Sequence, residues 1–390
     1  MSRGVETALD LALREPPARL RSARAFGLLS NQASLTRDFT HAADALRARF
    51  PDAMCALFGP QHGLWSTEQD NMVETAHGRR CGLPVYSLYS ETRTPSAAML
   101  DGLDLLVVDL QDVGTRVYTY AWTLLNCMRA CAAAGVEVMV LDRPNPLGGV
   151  VAEGALLDRD FESFVGGAAV PMRHGLTLGE LASYCNTELD LGCALHVTPM
   201  RGWRREMLWA DTGLVWVAPS PNLPRVEGAL VYPGQVLLEG TNLSEGRGTT
   251  TPFEQFGAPW LDPAALRDAL GDVEGATLRE VAFEPTFQKW RGEACRGLFV
   301  HVTEPAAFRS YRMTLRILQA ARALHKAELR FNEPPYEYEH RLMPIDILTG
   351  SAAARAWVDG DADAATLDGL ADAPQGWWPA TAPHLLYERT

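Results

Sequence analysis

An α/β protein, with an open parallel sheet carrying helices on both faces and a smaller α+β unit behind it, is what this sequence predicts. Three observations carry that expectation. Short apolar runs alternate with helical patterns up to Leu141, and these runs are apolar at successive positions, as strands buried on both faces are. The character then changes after about Pro259, where helices and strands no longer alternate. With 390 residues, 47% of them hydrophobic and 21% charged, the chain has the composition of a globular protein able to bury a sizeable core.

Taken in order, strands are expected at 26–30, 54–58, 84–88, 103–110 and 136–141, separated by helices at 40–49, 96–100 and 120–134. A further helix, 177–188, opens on Thr177 and Glu180 at capping-box spacing, and a short strand follows near His196. Residues 218–224, APSPNLP, form a proline-stiffened crossing. Beyond it come a helix at 262–270, strands near 278–283 and 297–303, a helix at 310–325, and an Ala- and Asp-rich helix pair between 351 and 371. The expected division is one domain over 1–255, holding most site motifs, and a smaller one over 256–390 that closes the cleft.

Ligands of open parallel sheets sit at the carboxyl ends of the strands. Those exits read SNQAS, GPQHGLWSTEQDN, SLYSETRTP, DLQDVGTRVYTY and DRPNPLGG, each polar and rich in Gly, Pro or amides. The densest polar stretch lies later, between Val231 and Pro259, where Glu239, Asn242, Ser244, Glu245, Arg247 and Glu254 follow a strand-like run at 235–238. Such a segment has no core of its own and reads as a site.

Composition removes several function classes. Against 48 acidic residues stand 35 basic ones, a formal charge of -13, and no Lys/Arg block offsets it, so nucleic acid and anionic membranes are poor partners. Seven scattered cysteines without a CxxC pair suggest neither a disulfide framework nor a zinc knuckle and suit a reducing compartment. The first residues lack the basic end and unbroken apolar run of a signal peptide, and no run approaches the ~20 apolar residues that span a bilayer. A cytoplasmic protein is the expectation. The first strand is not followed by GxGxxG, and neither GxxxxGK[ST] nor GxSxG occurs, which argues against dinucleotides, triphosphates and an α/β-hydrolase nucleophile. His62, His77 and His174 form no HxH or HExxH, so neither a metal nor another cofactor is expected.

Carboxylates remain: Glu68, Glu74, Asp109, Asp112, Asp142, Glu153, Glu239, Glu245 and Glu254. Two carboxyl groups flanking a bond, one of them kept protonated, are the glycosidase arrangement. Trp65, Tyr86, Tyr89, Tyr118, Tyr120 and Trp122 lie near the same exits and offer faces for a sugar ring.

The motifs SNQASLT, GPQHGL, LPVYSLY, DLQDVGTRVYTY, LDRPNPLGG, PSPNLP, LLEGTNLSEGRGTTTPFE, PYEYE and IDILTGS, in that order from about Phe26 to Arg355, closely resemble the NamZ-like exo-β-N-acetylmuramidases. The resemblance implies a Rossmann-like domain, a smaller domain, and a cleft between them that releases N-acetylmuramic acid from the non-reducing end of peptidoglycan fragments. It implies a muramyl disaccharide or oligosaccharide as partner, and a homodimer is compatible with it. The chain departs from the family at Gln61, where Pro-Glu-His-Gly is usual. Glu68 and Glu239 are therefore the leading catalytic pair, with Glu153 and Glu245 next. Arg116 and Arg247 are the candidates for the lactyl carboxylate, and Asn31, His62, Tyr118, Asp142, Asn145 and Asn242 those for the rest of the sugar. A non-catalytic amino-sugar-binding protein, or an enzyme acting on another bond such as the lactyl ether, would use the same cleft.

Overall fold

The protein, seen in a computed structural model, is described over residues 4–69, 72–360 and 363–388. Its larger sheet has seven strands: β1 (Phe26–Ser30), β2 (Met54–Gly59), β3 (Gly78–Arg80), β4 (Leu83–Ser87), β5 (Leu105–Asp109), β6 (Glu137–Leu141) and β7 (Leu195–Thr198). They lie in the order β3-β4-β2-β1-β5-β6-β7, parallel throughout except for β3 against β4. Every residue of β1 and β5 is buried, which is why these strands read as continuous apolar runs. The strand order reverses between β1 and β5, so a crevice opens beyond their carboxyl ends.

The helices follow their local signals. Tyr120–Ala134 ends on Gly135 in the left-handed region, φ 68°, which satisfies its last carbonyls. Leu178–Glu188 has the expected capping box, with Thr177 and Glu180 bonding reciprocally. The smaller sheet is antiparallel, ordered β8 (Gln255–Ala258), β10 (Cys295–Val302), β9 (Ala276–Phe283), and Pro263–Leu270 and Ser310–Leu324 are its helices. Helices Ala353–Asp359 and Ala364–Ala371 occupy the Ala- and Asp-rich tail. Among the described residues no helix is long and apolar enough to cross a membrane.

One local expectation needs correction. Residues 235–238 are not a strand. Helix Val226–Gln235 runs straight into a 3-10 turn, Val236–Gly240, and every residue from 231 to 240 is buried, so the apolar run had no periodicity to distinguish helix from strand. Gly234 is required there, because a Cβ would lie 2.0 Å from the Ser310 carbonyl oxygen where the two long helices meet. The Val231 to Pro259 stretch, read as a site, is nearly all buried.

The end of the chain returns to the larger sheet. Trp377 donates to the His174 carbonyl at 3.0 Å, and the Leu386 amide donates to Glu180 at 2.9 Å. Glu180 also pairs with Arg205 at 2.7 Å, both side chains fully inaccessible. Removing one partner of such a pair strands a buried charge at a cost of about 3–5 kcal/mol. Glu180→Gln is thus expected to lower the free energy of unfolding by about 3 kcal/mol in denaturant titration. A loss within about 0.5 kcal/mol would mean that the Gly149 and Gly175 carbonyls suffice for Arg205.

Candidate active site

Beyond the carboxyl ends of β2 and β5 lies a cleft of about 470 Å³, counted to its open mouth. One wall comes from the strand exits (Gln61, His62, Val117 to Tyr120) and the proline-stiffened crossing (Ser220, Asn222), the other from Tyr232, Glu239, Arg247, Phe253, Tyr336 and Glu337. His62, Phe253 and Glu337 have positive φ, at 69°, 65° and 45°. Non-glycine residues hold such angles only where their surroundings enforce them, and functional sites are where they cluster.

Glu239 is the next-to-last residue of the 3-10 turn and is 8% exposed. Arg247 donates to its Oε1 at 2.5 Å and the Tyr336 hydroxyl to its Oε2 at 2.7 Å. Burial opposes ionisation of Glu239, but the Arg247 charge and these hydrogen bonds outweigh it and hold the carboxyl below its ordinary range. Arg247 also reaches Glu245 at 3.3 Å, and Lys289 meets Glu245 at 2.7 Å. Glu239, Arg247, Glu245 and Lys289 thus form a buried row of alternating charge that sums to zero. Lys289 fastens the row to the fold by donating to the carbonyls of Leu238 and Leu243, each at 2.7 Å. The Arg247 guanidinium lies over the Phe253 ring, 5.1 Å from its centroid.

Glu337 enters the same cleft from the loop beside Tyr336. The Tyr89 hydroxyl donates to its Oε2 at 2.7 Å and the Gln61 amide to its Oε1 at 3.3 Å. Burial lifts its pKa, and the neighbouring Glu239 charge adds to the rise, against the two donors. His62 places Nδ1 2.6 Å from the Glu68 carbonyl oxygen, so Nδ1 carries the proton and Nε2 is an acceptor. Burial lowers its pKa to about 4, which leaves the ring neutral.

The structure gathers His62, Tyr118, Glu239 and Arg247 and leaves the other candidates elsewhere. The Glu68 carboxylate is 3.4 Å from the Thr67 hydroxyl and does not line the cleft; only its backbone bears on the site, through His62. Glu153 pairs with Arg173 at 3.1 Å and accepts from the Tyr311 amide, a structural bond between the two sheets' regions. Glu245 supports Arg247 from behind, 1% exposed. Arg116 is equally buried, donating to the carbonyls of Ala155, Val170 and Leu348, which leaves it no access to a substrate carboxylate. Asp142 accepts from Tyr387 and the Gly179 amide, tying down the chain's end. Asn145 bridges Leu147 and Leu176, and Asn242 bridges Glu328 and Arg330. Asn31 is buried against Ser34 and His41. Of the aromatic residues, Tyr120 also lines the cleft, whereas Trp122 donates to the Arg116 carbonyl and Trp65 lies exposed under Arg80.

Glu337, Tyr336 and Tyr232 escaped the sequence reading because the strand-exit rule points only into the larger sheet's loops. A signal existed in Tyr336-Glu337-Tyr338, an acid between two tyrosines in a segment with no apolar periodicity.

Comparison with known proteins agrees along the whole chain. The family model described as "Exo-beta-N-acetylmuramidase NamZ, N-terminal" matches residues 26–227, and its C-terminal counterpart matches residues 230–387. The chain is 40% identical over 330 residues to the peptidoglycan beta-N-acetylmuramidase NamZ of Bacillus subtilis (strain 168), covering 84% of this chain and 80% of that one. Crystal structures of two DUF1343 family proteins from Bacteroides fragilis NCTC 9343 share its fold. One superposes with a TM-score of 0.88 at 29% identity over the full length of both chains. The other gives 0.75 at 26% identity over 99% of each.

Proposed function

The chain belongs to the exo-β-N-acetylmuramidase NamZ family, and on that premise we propose that the cleft holding Glu239 is where it cuts its substrate. It is a glycoside hydrolase that releases N-acetylmuramic acid from peptidoglycan fragments, so its substrate contains a muramyl sugar. The observation that carries the placement is Glu239 itself: an ionised carboxylate, nearly buried, held rigid by Arg247 and Tyr336 and facing the polar cleft beyond the strand ends. Rupture of a glycosidic bond builds positive charge at the anomeric carbon, and a fixed carboxylate in a dry site is what stabilises it.

His62 Nε2 is an acceptor for a sugar hydroxyl, and Thr119, Ser220 and Asn222 offer further polar contacts. N-acetylmuramic acid carries a lactyl carboxylate, and Arg247 is the one cation among the described residues that line the cleft. Its Nη2 serves Glu239 and its Nε faces Glu245, so the fork's remaining edge is the one to meet the lactyl group.

Incubation with a muramyl disaccharide and mass analysis of the products tests the reading. Hydrolysis yields two sugars, loss of lactate would mean ether cleavage, and recovery of intact disaccharide would mean binding alone. Among the described residues no three potential metal ligands gather. Dialysis against EDTA is expected to leave the rate within ~2-fold, because carboxylates suffice for this chemistry. Abolition by EDTA with restoration by a divalent ion would reassign the carboxylates as metal ligands. All seven cysteines are unpaired, which supports a reducing, cytoplasmic location. Fractionation of the producing cells checks it, and recovery outside the cytoplasm would refute it.

A further inference from the structure

Departure of a sugar alkoxide needs a proton, and Glu239, kept ionised by Arg247, has none to give. We propose that Glu337 is the proton donor of this reaction, set in place by Gln61 and Tyr89. The inference rests on the assignment of hydrolysis to this cleft.

Thr119 donates its hydroxyl to Gln61 Oε1 at 2.7 Å, so Nε2 is the atom turned to Tyr89 and Glu337. Tyr89 in turn gives its hydroxyl proton to Glu337 Oε2 at 2.7 Å, the short bond of the pair. Oε1 meets Gln61 at 3.3 Å, a long contact that leaves this oxygen room to carry the acidic proton. Gln61 has no proton of its own to transfer and acts only as a positioning residue. The adjacent Tyr336 is bonded to Glu239, so consecutive residues bring both carboxyl groups to one cavity. Two carboxyl groups in one buried site do not both ionise readily, and Arg247 selects Glu239 as the ionised member. Among the described residues no other lining side chain serves: the His62 ring is neutral, and burial pushes the Tyr118, Tyr120, Tyr232 and Tyr336 hydroxyls up, away from acidity.

In the step itself the bond from the anomeric carbon to the leaving oxygen breaks, and its electron pair goes to that oxygen, which takes the Glu337 proton. The water that ends on the anomeric carbon releases one proton, which replaces, through solvent, the one that Glu337 gave. Net addition of one water leaves both residues as they began.

Two substrates separate this role from a structural one. A muramyl disaccharide has a leaving hydroxyl that needs protonation, whereas a dinitrophenyl muramyl glycoside has a leaving group that does not. Glu337→Gln is expected to lose ~10²-fold in kcat on the disaccharide and to stay within a few-fold of wild type on the aryl glycoside. Wild-type protein should show a basic limb in its pH profile with the disaccharide that is absent with the aryl glycoside. Equal losses on both substrates in a folded variant would overturn the proposal. Should Glu337→Gln not fold, the wild-type profiles decide, since the same basic limb on both substrates excludes Glu337 as the donor. Wild-type protein inert on both substrates would instead overturn the assignment of hydrolysis to this cleft, and this inference with it.

Discussion

Glu239→Gln should yield a folded protein whose turnover falls by ~10³-fold, within the range usual for loss of a carboxylate that acts at the reacting carbon. The amide keeps the size of the side chain and its bond from Tyr336, so the change is one of charge. Arg247 then faces Glu245 alone, and Lys289 still holds the row to the Leu238 and Leu243 carbonyls, which is why the fold should survive. The loss should be similar for the disaccharide and the aryl glycoside, because stabilising charge at the anomeric carbon does not depend on the leaving group. That equality distinguishes Glu239 from Glu337. Near-normal kcat in a variant with wild-type near-UV circular dichroism would remove Glu239 from the chemistry.

Legibility in the sequence tracked how local each feature's cause is. The strands of the larger sheet were legible because burial on both faces leaves an unbroken apolar run, as in Leu105–Asp109. Glu239 and Arg247 were each legible as site candidates because both lie, eight residues apart, in one dense polar stretch. Arg116 was misjudged for the converse reason. It sits in a distinctive motif, yet its role is to satisfy carbonyls 39, 54 and 232 positions away, and nothing near it in sequence announces them. Glu337 was missed in the same way, since its contact with Gln61 spans 276 positions and exists only once the second unit closes on the sheet. Glu153 and Asp142 show that a carboxylate at a strand exit is as readily an anchor for another segment, here Tyr311 and Tyr387, as a catalytic group.

Arg247→Met should be nearly as damaging as loss of Glu239, at ~10³-fold in kcat/KM, and it should carry a signature of its own. Arg247 holds the Glu239 carboxyl below its ordinary pKa against the effect of burial. Without the guanidinium, burial prevails and that pKa rises. Because the reaction needs Glu239 ionised, the acid limb of the pH profile should move to higher pH, and part of the lost rate should return as the pH is raised. Lys at this position restores the charge but not a planar fork able to serve Glu239 and Glu245 together, so it should rescue only part. Substrate choice supplies the second readout. A charge-assisted bond to the lactyl group contributes about 1.5–3 kcal/mol, so preference for muramyl over glucosaminyl glycosides should fall by ~10-fold or more. An acid limb that stays where it is in folded Arg247→Met would show that Tyr336 and the surrounding fold keep Glu239 ionised without Arg247. An unchanged preference would place recognition of the lactyl carboxylate outside this cleft.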